Sequence, residues 1–267
     1  GLKRIFGLVF ETPVGGSGPF SETRALANSG VTVLSRYPIV ATKTILFSGR
    51  GEWSGDDGVA NKCAQYVRIV KNGRAFNVVA THLQAWDYAR AVRSRQAQLR
   101  KLRRFTDSLL IPKHEPVLFA GDLNVCRISA ADRYDEMLAL LNASDTHQVD
   151  EPSIKRARDL VRQQSTGSGS GSGSGASTTI DPDSQSSTRH IFSFNSLDNG
   201  LAVDGPSAGD ACALLDYCLF SRSHAQPVST SAVVLSNIRA SVAHRWQKRE
   251  LVDLSDHYPI VAKLSFA

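Results

Sequence analysis

The sequence predicts an α/β protein, on three observations. Short runs rich in Val, Ile, Leu and Tyr recur at Gly30 to Leu34, Gln65 to Val70, Phe76 to Ala80, Pro116 to Ala120, Leu214 to Phe220 and Ile260 to Leu264. Each is bounded by Gly, Asn, Asp or Pro, the punctuation of strands. Between them lie stretches whose apolar residues step by three and four, the helical period. The chain has 267 residues and is 42% hydrophobic, enough to bury a large core. Strands interleaved with helices imply sheets covered by helices.

Taken in order, Lys71-Asn72-Gly73 is a hairpin turn joining the Gln65 and Phe76 strands. From Arg90 to Leu110, the residues Val92, Leu99, Leu102, Phe105 and Leu109 form one apolar stripe. The opposite face of this helix carries Arg and Lys and reads as a solvated surface, with contact to anionic lipid as the alternative. Tyr134 to Leu141 is a second, shorter helix. From about 163 to 188 the sequence is mostly Ser, Gly, Thr and Asp, with strict Gly-Ser alternation from Gly167 to Gly175. Such a segment buries nothing and reads as a flexible insertion, either natural or an engineered replacement of a longer loop. The candidate motifs fall on both sides of it, so a single domain spanning 1–267 is expected.

Lys and Arg outnumber Asp and Glu by 31 to 25, giving a net charge of +6 that favours anionic partners without choosing among them. The four cysteines, Cys63, Cys126, Cys212 and Cys218, lack the close paired spacing of a zinc or redox site and are expected as free thiols. No stretch approaches the roughly 20 apolar residues of a membrane span, and the start lacks the layout of a signal peptide.

Several strand ends terminate in residues that can hold a phosphate or a metal. Phe76 to Ala80 runs into Thr81-His82-Leu83-Gln84, and Val117 to Ala120 into Gly121-Asp122-Leu123-Asn124. Leu214-Leu215 precedes Asp216-Tyr217, and Ser255-Asp256-His257-Tyr258-Pro259 precedes the last strand. Singly, an Asp before a turn is a cap and a lone His is a surface residue. Together they mark one cleft at the end of a sheet.

Gly121 to Asn124, Leu215 to Tyr217 and Ser255 to Pro259 resemble three signatures of the endonuclease/exonuclease/phosphatase superfamily. That resemblance implies a DNase I-like four-layer sandwich, with two mixed β-sheets flanked by helices. Asp57 to Lys62, Thr81 to Ala85, and Asn28 to Val31 through Ser35 to Ile39 are similar to neutral and bacterial sphingomyelinases. The branch implies Mg²⁺-dependent hydrolysis of sphingomyelin to ceramide and phosphocholine, with Mn²⁺ or Co²⁺ in substitution. A nuclease or inositol-phosphate phosphatase on the same scaffold, or an inactive lipid-binding remnant, is the competing expectation.

Hydrolysis of a phosphodiester needs a base for the attacking water, charge to offset the transition state, and help for the leaving oxygen. His257 is the expected base, because imidazole accepts a proton near neutral pH. Asp216 would orient its ring. Asp122 and Asn124 would position water and a phosphoryl oxygen, and the resemblance implies that His82 binds the phosphoryl group or protonates the leaving oxygen. Asp57, Lys62 and Trp86 are expected at the substrate rim, where an aromatic face attracts a choline cation; Trp53 and Trp246 are further candidates. Asp256 is expected to help hold the metal. The family's principal Glu and Asn ligands are expected to be absent from this chain, its first strands missing, and Glu11 is read as a loop residue. The expected partner is sphingomyelin or a related choline phospholipid at a membrane surface, with no nucleic acid, and the protein is expected as a membrane-associated or secreted monomer.

Overall fold

A computed structural model describes residues 7, 9–13, 29–47, 61–166, 191–202, 212–238, 242–243 and 250–267. The Gly-Ser alternation, Asp57, Trp53 and Trp246 lie outside the described residues.

The central element is a six-stranded sheet of β3 (Ile39–Leu46), β4 (Cys63–Lys71), β5 (Arg74–His82), β6 (Val117–Asp122), β10 (Asp216–Ser221) and β7 (Ala143–Asp145). Its order is β3-β4-β5-β6-β10-β7. The expected turn joins β4 to β5, with Lys71 opposite Arg74 and both Asn72 (φ 52°) and Gly73 (φ 77°) left-handed, as a two-residue hairpin requires. β5 and β6 are the parallel pair in an otherwise antiparallel sheet. A parallel pair needs a long crossover, here α1 (Ala89–Ser108). Leu99, Leu102 and Phe105 of α1 are buried in the core with Phe119, Leu123 and Met137, while α2 (Ala131–Leu141) packs beside it.

β11 (Ser229–Val234) and β14 (Ile260–Ser265) form a separate antiparallel pair, and β14 packs against β10. Three shorter pairs complete the described strands: β1 (Phe10–Glu11) with β2 (Leu34–Ser35), β8 (Phe194–Asn195) with β9 (Cys212–Ala213), and β12 (Val242–Ala243) with β13 (Glu250–Leu251).

The structure departs from the sequence reading in several places. A third helix, α3 (Glu151–Thr166), runs into the segment expected to be linker from about residue 163. The Gly30 to Leu34 run is a strand only at Leu34, which pairs within β2 (Leu34–Ser35), and Gly30 is left-handed at φ 69°. Arg95 falls on the apolar stripe of α1, between Val92 and Leu99, and is buried there. All four cysteines are free thiols. Among the described residues no helix is long and apolar enough to cross a membrane.

Candidate active site

The sheet topology brings the polar strand ends together. The α1 crossover makes β5 and β6 end side by side, with His82 opposite Asp122 in the parallel register. β10 runs the other way, so its first residue, Asp216, is also opposite Asp122. Asp122 thus sits between a histidine and a second carboxylate.

Gly121 makes this close approach possible. Its φ is +128°, and a Cβ built there would lie 2.1 Å from the Thr81 carbonyl oxygen. Beyond Asp122 the chain turns at Asn124 (φ 53°). The Asn124 backbone N–H donates to Asp122 Oδ1 at 2.8 Å, and its amide donates to Asp122 Oδ2 at 3.0 Å and to the Leu83 carbonyl at 3.0 Å. The Asp-Leu-Asn segment is therefore a closed Asx turn tied to the end of β5.

His82 Nε2 lies 3.4 Å from Asp122 Oδ2 and 3.0 Å from Lys62 Nζ, and the Lys62 side chain is buried. His257 Nδ1 lies 2.6 Å from Asp216 Oδ2. The ring of Phe194 packs on that of His257 with centroids 5.4 Å apart, and the two residues also pair through a backbone bridge. The Ser193 hydroxyl accepts the backbone N–H groups of Leu215 and Asp216, and the Ser193 carbonyl accepts from Tyr258 N–H at 2.7 Å. Residues 193 and 194 therefore fix both members of the carboxylate–imidazole pair, a role that neither composition nor spacing signals.

The electrostatics follow from crowding. Burial, then the charge of Asp216, pushes the Asp122 acid up to about 7. Burial works against a charged His257 ring, but the hydrogen bond and charge of Asp216 outweigh it and raise the group to about 9. Asp122 and Asp256 add to that rise.

Of the remaining expected site residues, Trp86 is half-buried in the loop after β5 at φ 76°. Asp256 is exposed and accepts a hydrogen bond from Ser255 at 3.0 Å. Glu11, expected in a loop, is instead a strand residue of β1, paired opposite Leu34. A cavity of about 620 Å³ between β6, β10 and β14 has Asp216 and His257 in its wall, with Cys218, Ile238 and Ile260 among its apolar lining.

One oxygen from each of Asp122 and Asp216 and a nitrogen of His257 all lie within 4.8 Å of one another, a grouping that could hold a metal ion. The donors suit a hard divalent cation, which takes carboxylate oxygens and keeps several waters. A cation there would also offset the repulsion that raises the Asp122 acid. Asp256 lies outside this group.

The sequence profile of the Endonuclease/Exonuclease/phosphatase family matches residues 9–257. The chain belongs to the endonuclease/exonuclease/phosphatase family. Within it, the chain is 32% identical over 243 residues to a sphingomyelinase C of Leptospira interrogans, covering 89% of this chain and 35% of that protein. It is 30% identical over 245 residues to the sphingomyelinase C of Listeria ivanovii, covering 89% of this chain and 59% of that protein. The chain thus spans less than two thirds of the length of either relative. Among solved structures, sphingomyelinase C of Streptomyces griseocarneus superposes with a TM-score of 0.66 at 26% identity, over 96% of this chain and 77% of that one. A Staphylococcus aureus beta toxin mutant with bound magnesium ions does so with a TM-score of 0.66 at 26% identity, over 96% and 77%. The fold of this family member is DNase I-like, as its motifs implied.

Proposed function

We propose that this chain is a divalent-metal-dependent phosphodiesterase that hydrolyses sphingomyelin, with Mg²⁺ as the cation. The observation that carries the reaction class is the Asp216–His257 pair, 2.6 Å apart, set beside the Asp122 carboxylate at the end of one sheet. The likeness to bacterial sphingomyelinases C supports the substrate.

In this reading a cation held at the two carboxylates would favour the neutral His257 ring, and Asp216 holds its Nδ1 so that Nε2 takes a proton from water. The water oxygen bonds to phosphorus as the bond to the ceramide oxygen breaks. Lys62 and His82 stand beside the phosphoryl group, supply hydrogen bonds and positive charge, and deliver a proton to the departing alkoxide, while Asn124 holds the Asp122 carboxylate in place. A cation held by Asp122 and the free oxygen of Asp216 would supply charge against the phosphoryl oxygens. Asp256, from the rim, adds negative charge near His257. Trp86 stands in the loop after His82, where its ring could meet a choline cation.

The test is release of phosphocholine from sphingomyelin liposomes, with Mg²⁺ and with EDTA. Release that needs Mg²⁺ and is lost in His257→Ala supports the reading. A folded chain that releases none with Mg²⁺, or that instead cuts DNA with a rate falling steeply with salt, overturns it.

A further inference from the structure

The loop that leaves β5, residues 83–88, carries Trp86 with φ at 76°, in the left-handed region that bulky side chains avoid. Such a conformation persists only where its surroundings enforce it. Here the enforcing group is Arg95 of α1. Its Nη1 donates to the carbonyls of both Gln84 and Trp86 at 2.8 Å, and its Nη2 donates to Asp87 Oδ1 at 2.8 Å. The same Asp87 oxygen receives Arg133 Nη1, from α2, at 2.9 Å. Asp87 therefore joins the loop to two helices.

Arg95 is 2% exposed, although it sits in a helix whose other arginines lie toward solvent. Burial disfavours its cation, and the charges of Asp87 and Asp122 favour it. An apolar residue facing the core at this point would serve folding alone at least as well, since a buried ion is weak evidence for stability. What a planar fork does, and a freely rotating ammonium does not, is hold two carbonyls and a carboxylate in one fixed geometry.

The other end of the loop is equally tied. The Leu83 N–H donates to the Asp122 carbonyl at 3.0 Å, and the Gln84 N–H donates to Gln98 Oε1 of α1 at 2.8 Å. His82 thus stands between a strand partner that carries Asp122 and a loop gripped by α1.

We propose that Arg95 is a positioning residue for the phosphodiester reaction: its fork fixes the loop bearing Trp86 and, through it, the strand end bearing His82. This rests on the phosphodiesterase reading above.

Arg95→Lys keeps a cation but loses the fork, and Asp87→Asn keeps the two carbonyl bonds but loses the ion pair. For turnover both are made in the otherwise unaltered chain, and for quenching in a Trp53→Phe/Trp246→Phe background, where Trp86 is the sole indole. In folded Arg95→Lys, acrylamide quenching of Trp86 rises and kcat for phosphocholine release falls about a hundredfold with KM little changed, as misplaced catalytic groups do. Asp87→Asn shows the same changes in smaller measure. If Arg95→Lys melts lower while its folded form keeps parental kcat and parental quenching, Arg95 is merely structural and the proposal is overturned. Should Arg95→Lys fail to fold, Asp87→Asn is read in the same two ways. If the parent shows no turnover with Mg²⁺, the phosphodiesterase reading fails by itself, and the quenching arm, which needs no turnover, still decides whether Arg95 sets the loop.

Discussion

Asp122 and Asp216 stand directly opposite one another across β6 and β10, two carboxylates at one point of a sheet. Burial and this like charge together raise the Asp122 acid to about 7, so ionising it costs the fold free energy. Groups held against stability in this way mark function.

Asp122→Asn should therefore separate the two properties. In metal-free protein at about pH 8 its melting temperature should equal or exceed the parent's, each kcal/mol being worth about 2–4 °C in a chain of this size. Phosphocholine release should fall by about 10²–10³-fold, the loss typical of a transition-state contact. Scanning calorimetry and a turnover assay check both. A variant that melts lower and keeps its rate would remove Asp122 from the reaction.

The Asp216–His257 pair predicts a second asymmetry. Asp216→Asn leaves a partner for the ring but removes the charge that stabilises the imidazolium, and kcat should drop by about 10³–10⁴-fold. His257→Ala should abolish turnover, with the fold retained in circular dichroism. Rates within an order of magnitude of the parent in either variant would dismiss His257 as the base.

Stability should depend on pH in a definite direction. Both Asp122 (3.8 to about 7) and His257 (6.5 to about 9) have raised values in the folded chain. A raised value gives stability that is complete below the unfolded pKa and is lost as pH climbs through the folded one. With EDTA present, the melting temperature should fall through the window from 3.8 to about 7 on account of Asp122, and from 6.5 to about 9 on account of His257. Asp216→Asn should flatten the upper limb. A melting temperature that rises between pH 7 and 9 would contradict this assignment, as measured by calorimetry over that range in buffers of matched ionic strength.

Gly121→Ala tests the geometry beneath the site. The added methyl would sit 2.1 Å from the Thr81 carbonyl oxygen, on a residue already at φ +128°. Neither backbone strand can yield without breaking the β5–β6 ladder. The expected loss is on the order of 3 kcal/mol or more in urea unfolding, at the upper end for overpacking combined with backbone strain. Unchanged stability would mean that the approach of β6 to β5 is looser than described.

The parts of the site legible in the sequence are those where strand period gives way to polar residues. His82, Asp122 and Asp216 each stand at a strand end, where alternation stops and a side chain leaves the sheet. The strands with buried alternation were equally legible, as was the Asn-Gly turn. β3 was not, because most of its residues are exposed and its Thr and Lys positions blur the period-two signal. The helix α3 was hidden by few buried apolar positions, Ile154 and Ala157 among them. The inward position of Arg95 follows from its helical step from Ala91 and Leu102, but an arginine adds nothing to an apolar stripe and so passes unmarked. The supports from Ser193 and Phe194 depend on a loop crossing from elsewhere, which no local pattern encodes.

The sheet order carries a consequence for biogenesis. β10 is inserted between β6 and β7, both of which precede it by many residues in the chain. While the polypeptide emerges from the ribosome, these two strands wait with exposed hydrogen-bonding edges for a neighbour not yet translated, a slow and aggregation-exposed arrangement. The same late arrival brings Asp216, so the facing carboxylates of Asp122 and Asp216 come together only as the sheet is completed, and His257 follows later still in the chain.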